Sequence, residues 1–104
     1  MAGITWTSLA RRDLEDITAY IAEDSPDYAP QFARKIAEAA LRLAEFPLSG
    51  RSVADLSIAR VREVVFQNYR IIYEARTEGV VILAVMHGAM DFSTMAERRG
   101  WNLS

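Results

Sequence analysis

Residues 60–87 read RVREVVFQNYRIIYEARTEGVVILAVMH, and the spacing of their apolar side chains decides the fold class. RVREVVF and YRIIYEA alternate with a period of two, the repeat that sends successive side chains to opposite faces of a strand. Gln67-Asn68 between them makes a two-residue hairpin turn in which the asparagine tolerates a positive φ. Arg76-Thr77-Glu78-Gly79 then turns the chain into VVILAVM, so three antiparallel strands follow one another as a meander. In the middle strand Tyr69, Ile71 and Tyr73 share one face, and Arg70, Ile72 and Glu74 share the other. One face is therefore built to meet a core and the other is mixed. The last strand is apolar on both faces, which asks for cover on both sides or a subunit partner.

Upstream of this sheet the period is helical. Residues 3–7, GITWT, alternate and form a short first strand, after which Thr7 or Ser8 caps a helix. Ala10, Leu14, Ile17 and Ile21 fall on one stripe of that helix, which runs to about Glu23. Ser25-Pro26-Asp27 carries the marks of a second helix start: a capping hydroxyl, a proline whose missing N–H costs nothing there, and an acid near the positive helix end. Ala29, Phe32, Ile36, Ala40 and Leu43 form its buried stripe, which stops near Phe46-Pro47. So short a link makes the two helices antiparallel neighbours. PLSGRSVADLS is turn-rich and reads as the loop that carries the chain to the sheet. Beyond the last strand, STMAERRGW can add a short C-terminal helix with Ser93 as cap and Gly100 as stop. The expected architecture is α+β: an N-terminal strand and an antiparallel two-helix hairpin packed on an antiparallel β-meander, in one domain spanning residues 1–104.

Composition bounds the chemistry. The 104 residues include no cysteine, which removes disulfides, thiolate metal sites and cysteine nucleophiles and leans toward a reducing compartment. No apolar run approaches the ~20 residues that span a bilayer, and the N-terminal stretch has no secretory pattern, so a soluble cytoplasmic protein is expected. Residues 1–48 carry five basic and eight acidic side chains, residues 49–104 seven and six. Eleven of the twelve basic residues are arginine, the side chain suited to bidentate contact with carboxylate or phosphate, so contact roles are expected for them. A net charge of -2 argues against a general nucleic-acid binder.

ARRDLEDITAYI, FPLSGR, YRIIYEA and VVILAVMHGAMD, in that order, resemble the RelE/ParE superfamily of toxins from bacterial toxin–antitoxin modules, and their spacing is similar to the ParE branch. The matching positions are Ala10, Asp13, Leu14 and Ile17; Pro47, Gly50 and Arg51; Arg62, Tyr69, Arg70, Ile71 and Tyr73; and Ile82, Leu83, Val85 and His87. The resemblance implies a toxin neutralised by a small ParD-like antitoxin encoded beside it. For ParE-like members it implies inhibition of DNA gyrase, and for RelE-like members metal-independent cleavage of messenger RNA on the ribosome. A degenerate member that binds an antitoxin without being toxic is the third alternative.

RNA cleavage needs a base for the 2′-hydroxyl, an acid for the leaving oxygen and cations for the phosphorus-centred charge. Arg60, Arg62 and Arg70 are the candidate cations, with Arg60 and Arg62 on one strand face and Arg70 brought beside them by the neighbouring strand. His87 is the one candidate base with a suitable unperturbed pKa. The lysines and C-terminal tyrosine of RelE-like nucleases have no counterpart, since Lys35 is the only lysine and lies on a helix. His87 also has a structural reading, an imidazole bonded to a loop carbonyl or to Asp91 at the strand end. The family's arginine two or three residues later is replaced by Ala89 and Met90. A binding protein is thus the leading expectation, with Arg51, Arg60, Arg62, Arg70, Ile72, Met86 and Met90 as candidate contacts to target or antitoxin. Arg51 reads equally as a salt bridge to Asp55 or a helix acid, Arg62 and Arg70 as members of a cross-strand ladder with Glu63 or Glu74, and Asp13 as an internally paired carboxylate. No catalytic residue is expected in this reading, and no cofactor, metal site, membrane contact or sequence-specific DNA contact.

Overall fold

The computed structural model describes residues 3–53 and 60–101. Along the chain lie β1 (Gly3–Trp6), α1 (Ser8–Asp24), α2 (Ala29–Glu45), β2 (Arg51–Ser52), β3 (Val61–Phe66), β4 (Tyr69–Arg76), β5 (Gly79–His87) and α3 (Phe92–Arg98). The strands form one sheet in the order β1-β5-β4-β3-β2. The expected meander is β3-β4-β5, and β1 joins its β5 edge in parallel, with Gly3 opposite Gly79 and Trp6 opposite Ile82. The helical hairpin is the crossover that lets the first strand lie parallel to the last. PLSGRSVADLS, expected as a loop, donates Arg51 and Ser52 to the sheet opposite Glu63 and Arg62.

Local chemistry sets the boundaries. Thr7 leaves β1 in an extended conformation and its hydroxyl accepts from the Ala10 N–H at 3.1 Å, capping α1. The second helix starts later than its expected signal. The Ser25 N–H donates to the Ile21 carbonyl and closes α1, while its own carbonyl accepts from Tyr28 and Ala29, so an intervening turn delays α2 to Ala29 with Pro30 in its first turn. In the hairpin turn the positive φ falls on Gln67, at 54°, and not on Asn68. The Gln67 amide is held there by the Tyr28 hydroxyl at 2.8 Å, an anchor from α2's entry that offsets the cost of a left-handed residue.

Two cores sandwich the sheet. Phe32, Ile36, Leu43, Ile71, Tyr73 and Ile82 are buried between the hairpin and one face. On the other face α3 lays Phe92 and Met95 over Val61, Ile72, Ala84 and Met86. The doubly apolar β5 is thus covered on both sides from within the chain. Asp91, not Ser93, caps α3, accepting from the Ser93 N–H and the Thr94 hydroxyl. The β4–β5 register slips at Ile72/Tyr73, where Ala84 and Ile82 face consecutive residues and Leu83 is extra. Such a bulge bends the strand, and β1 ends at the same level, leaving the outer edge of β5 unpaired beyond Ile82.

Candidate functional site

At the open edge of β5, α1 and the end of α3 come together. Opposed residues in an antiparallel ladder alternate between paired and outward-pointing backbone groups, and Val85 points outward. Its N–H is met by the Asp13 carboxylate of α1 at 3.0 Å. The same carboxylate takes both guanidinium nitrogens of Arg99, at 2.5 and 3.1 Å, from the end of α3 on the far side of the sheet. One acid therefore satisfies a strand edge and clamps two layers. Arg99 also stands 5.6 Å over the Trp101 ring, a cation–π contact that fixes the guanidinium from its other side.

Beside this clamp a cleft of about 390 Å³ opens between α1 and the tip of the sheet. Asp16, Ile17 and Tyr20 form one wall and Tyr69, Met86 and Met90 the other. Three of the chain's four methionines, Met86, Met90 and Met95, line it. A second cavity, of about 370 Å³, continues past Met90, Met95 and Arg99 to Thr94 and Arg98. Thioether side chains adapt to varied shapes, so this is a surface suited to binding an apolar segment.

The arginines divide into separate places. Arg70 and Arg51 share Glu63, with Arg70 Nε 2.7 Å from one oxygen and Arg51 Nε 2.8 Å from the other. Glu63 is buried, and two guanidinium groups compensate its desolvation. Arg60 holds Glu74 at 2.8 Å and Arg76 takes its other oxygen. Burial raises the Glu74 pKa, but the hydrogen bonds and charges of Arg60 and Arg76 outweigh it and leave the group below its ordinary value. Arg62 lies on the opposite face, opposite Tyr73, and donates to the Gly50 carbonyl at 2.8 Å. The expected grouping of Arg60, Arg62 and Arg70 is therefore corrected: register puts Arg62 on the helix side and Arg70 on the α3 side. The cross-strand ladder is the arrangement found for Arg70 with Glu63. Arg51 pairs with Glu63 instead of a helix acid, and Asp55 lies outside the described residues.

Arg51, Arg70 and His87 do meet, lining a shallow cavity of about 290 Å³ with Gln67, Asn68 and Ala89. The His87 ring packs edge-on against Tyr69 at 5.5 Å, and its Nδ1 accepts from the Ala89 N–H at 3.1 Å. Among the described residues the expected bond to a loop carbonyl or to Asp91 is not formed, and the Asp91 carboxylate caps α3 instead. Among the expected contact residues, Ile72 and Met86 are buried under α3, whereas Met90 is 48% exposed. The sequence reading missed Tyr20, Met95 and Arg99. Helical spacing in STMAERRGW does place Met95 and Arg99 on one side of a helix, but nothing local ties them to α1.

Among the described residues no helix is long and apolar enough to cross a membrane, and no cluster of three acids or histidines is placed to hold a metal ion. Comparison with known proteins gives the family. Residues 4–92 match the family described as "ParE toxin of type II toxin-antitoxin system, parDE". The protein Y4kP of Sinorhizobium fredii (strain NBRC 101917 / NGR234) is 41% identical over 85 residues, 81% of this chain and 85% of that one. Toxin RelE2 of Caulobacter vibrioides is 39% identical over 90 residues, 86% of this chain and 98% of that one. Two solved structures share the fold. The chromosomal ParDE toxin–antitoxin system from P. aeruginosa superposes with a TM-score of 0.72 at 20% identity, over 84% of this chain and 96% of that one. The toxin–antitoxin complex RelBE2 from Mycobacterium tuberculosis gives 0.62 at 26%, over 83% and 96%. The match from β1 through the start of α3 spans both helices and the whole sheet, and the chain belongs to the ParE toxin family of type II toxin–antitoxin systems.

Proposed function

We propose that this chain, acting as a single cytoplasmic domain, inhibits DNA gyrase by binding it and is neutralised by a ParD-like antitoxin encoded beside it. The observation that carries the reading is the ParE-type match over residues 4–92, which takes in every element that forms the cleft except most of α3. The side-chain chemistry agrees. Arg60 is committed to Glu74, Arg62 to a carbonyl, and Arg51 and Arg70 divide one carboxylate, so these guanidinium groups are held as structural and contact groups. Binding without bond-making then rests on shape and charge, with the exposed Arg51 and Met90 and the half-buried Arg70 as contacts.

A second reading, messenger-RNA cleavage, is favoured by one feature, the convergence of Arg51, Arg70 and His87 on one cavity. Against it stands Glu63, which offsets the positive charge that a phosphate needs. Induction in cells lacking antitoxin separates the readings. Gyrase-linked DNA breaks with a DNA-damage response are expected; rapid loss of messenger RNA with intact chromosomes would overturn the gyrase reading. Unimpaired growth would point to the non-toxic alternative.

A further inference from the structure

We infer that the turn 87–91 is a pH-sensitive latch on the cleft: with a neutral His87 ring it holds Met90 in the cleft wall, and protonation of that ring opens the turn and releases the wall. Four hydrogen bonds shape the segment. The Gly88 N–H donates to the Asn68 carbonyl at 2.7 Å, the Met90 N–H to the His87 carbonyl at 3.0 Å, and the Arg70 guanidinium to the Met90 carbonyl at 3.3 Å. None of these three uses the imidazole. The fourth runs from the Ala89 N–H to His87 Nδ1 at 3.1 Å and needs a ring nitrogen that accepts, which only the neutral imidazole offers. An imidazolium donates from both nitrogens, so a proton on the ring replaces this bond with two donors facing each other.

Position turns the lost bond into a change of shape. His87 lies between two cavities, lining the cleft together with Met90 and the shallow cavity together with Ala89. Met90 also lines the cavity that continues past Thr94 and Arg98, so a shift at 89–90 reaches both neighbouring spaces. The surrounding charges favour departure of a charged ring from the turn. On the shallow side Arg51 of β2 and Arg70 of β4 oppose a cation, an effect reduced by Glu63 between them. On the cleft side α1 presents Asp13 and Asp16. Arg99 of α3 takes Asp13, whereas Asp16 enters none of the ion pairs formed among the described residues. Tyr20 and Tyr69 add no charge there, and Asp91 is turned to the α3 cap. An imidazolium is thus drawn toward α1 and away from Ala89. The open turn binds the proton better than the closed one, so opening grows as pH falls through the range of about 8 to 5 in which histidine side chains gain charge.

Heteronuclear NMR of the full chain across that pH range tests the latch. The Ala89 amide and the Met90 methyl should shift together with the His87 ring signals. Exchange of the Ala89 amide, corrected for the intrinsic effect of pH, should rise roughly tenfold, the loss expected for one hydrogen bond. The Val85 and Ser93 amides, bonded to Asp13 and Asp91, should keep their protection and serve as references. His87→Asn retains a side-chain oxygen able to accept from the N–H two residues on and does not titrate, so it should flatten the profile with the turn closed. His87→Leu has no acceptor and should leave the turn open at every pH. The ring is exposed, and an unchanged thermal melt verifies the fold of both variants. Titration of the ring with no response at Ala89 and Met90, or the same pH response in His87→Asn, would overturn the inference.

Discussion

At Tyr73 a single hydroxyl joins two distant pieces of sequence. It donates to the Pro47 carbonyl at 2.7 Å and accepts from the Gly50 N–H at 2.9 Å, so the turn 47–50 is pinned to the middle strand. A Cβ at Gly50 would lie 2.5 Å from that hydroxyl and 2.7 Å from the Glu63 carbonyl, and the backbone oxygen has no freedom to yield. Gly50→Ala is expected to cost about 1–3 kcal/mol, read as a lower urea midpoint at unchanged slope. Tyr73→Phe should cost about as much, since it leaves a buried N–H and carbonyl unpaired. Burial raises the Tyr73 pKa above its ordinary 10.0, against the weaker pull of the Gly50 hydrogen bond and the Arg62 charge. A folded-state pKa raised above the unfolded one gives stability that is complete below pH 10.0 and fades as pH rises through the folded value. The core placement of Tyr73 was legible from its period-two companions Tyr69 and Ile71. Its bonds to residues 47 and 50 were not, because they depend on how the loop returns to the sheet. His87→Gln bears on function: a folded variant should remain as toxic as the parent on induction, and a folded, harmless one would restore the nuclease reading.

The elements show which parts of a fold a one-dimensional pattern carries. Periods of two and 3.6 locate β3, β4, β5, α1 and α2, because burial on one face is written into each segment by itself. Neither period names a strand's neighbour, and so the parallel seat of β1, the two-residue β2 and the bulge at Leu83 emerge only from the sheet. Capping is equally dependent on context. Ser25 and Ser93 have the right chemistry to start helices, but Ser25 is taken by the end of α1 and Asp91 outcompetes Ser93 with two acceptor oxygens. The Thr94 hydroxyl bond, against a smaller opposing effect of desolvation and with help from the Ser93 N–H, holds the Asp91 pKa below its ordinary value. α3 itself hangs chiefly on Phe92 and Met95. Phe92→Ala should cost about 3–5 kcal/mol and raise hydrogen exchange across α3 before the rest of the sheet, since seven residues do not form a stable helix alone.

Over the whole molecule the arginines act as counter-charges for buried acids before they act as a surface. Glu63 and Glu74 each sit low in exposure between two guanidinium groups, an arrangement that allows acids inside a sheet face otherwise closed by α3. Because the Glu74 pKa is lowered on folding, the unfolded chain binds the extra proton first. Its contribution to stability is present above the ordinary value of 4.5 and is lost as pH falls through the folded value. A thermal melt should therefore drop on acidification in that window, and less so in Glu74→Gln. The Asp13–Arg99 clamp has a further consequence, for solubility. An unpaired strand edge is a template for joining like to like, and charged groups set against it are how monomers stay apart. Cutting the chain after His87 would strip Asp13 of its counter-charge Arg99 at the Val85 edge and bare Ile72 and Met86. The expected product is a concentration-dependent assembly with rising thioflavin fluorescence, so the same few C-terminal residues that line the cleft also keep the folded chain from polymerising.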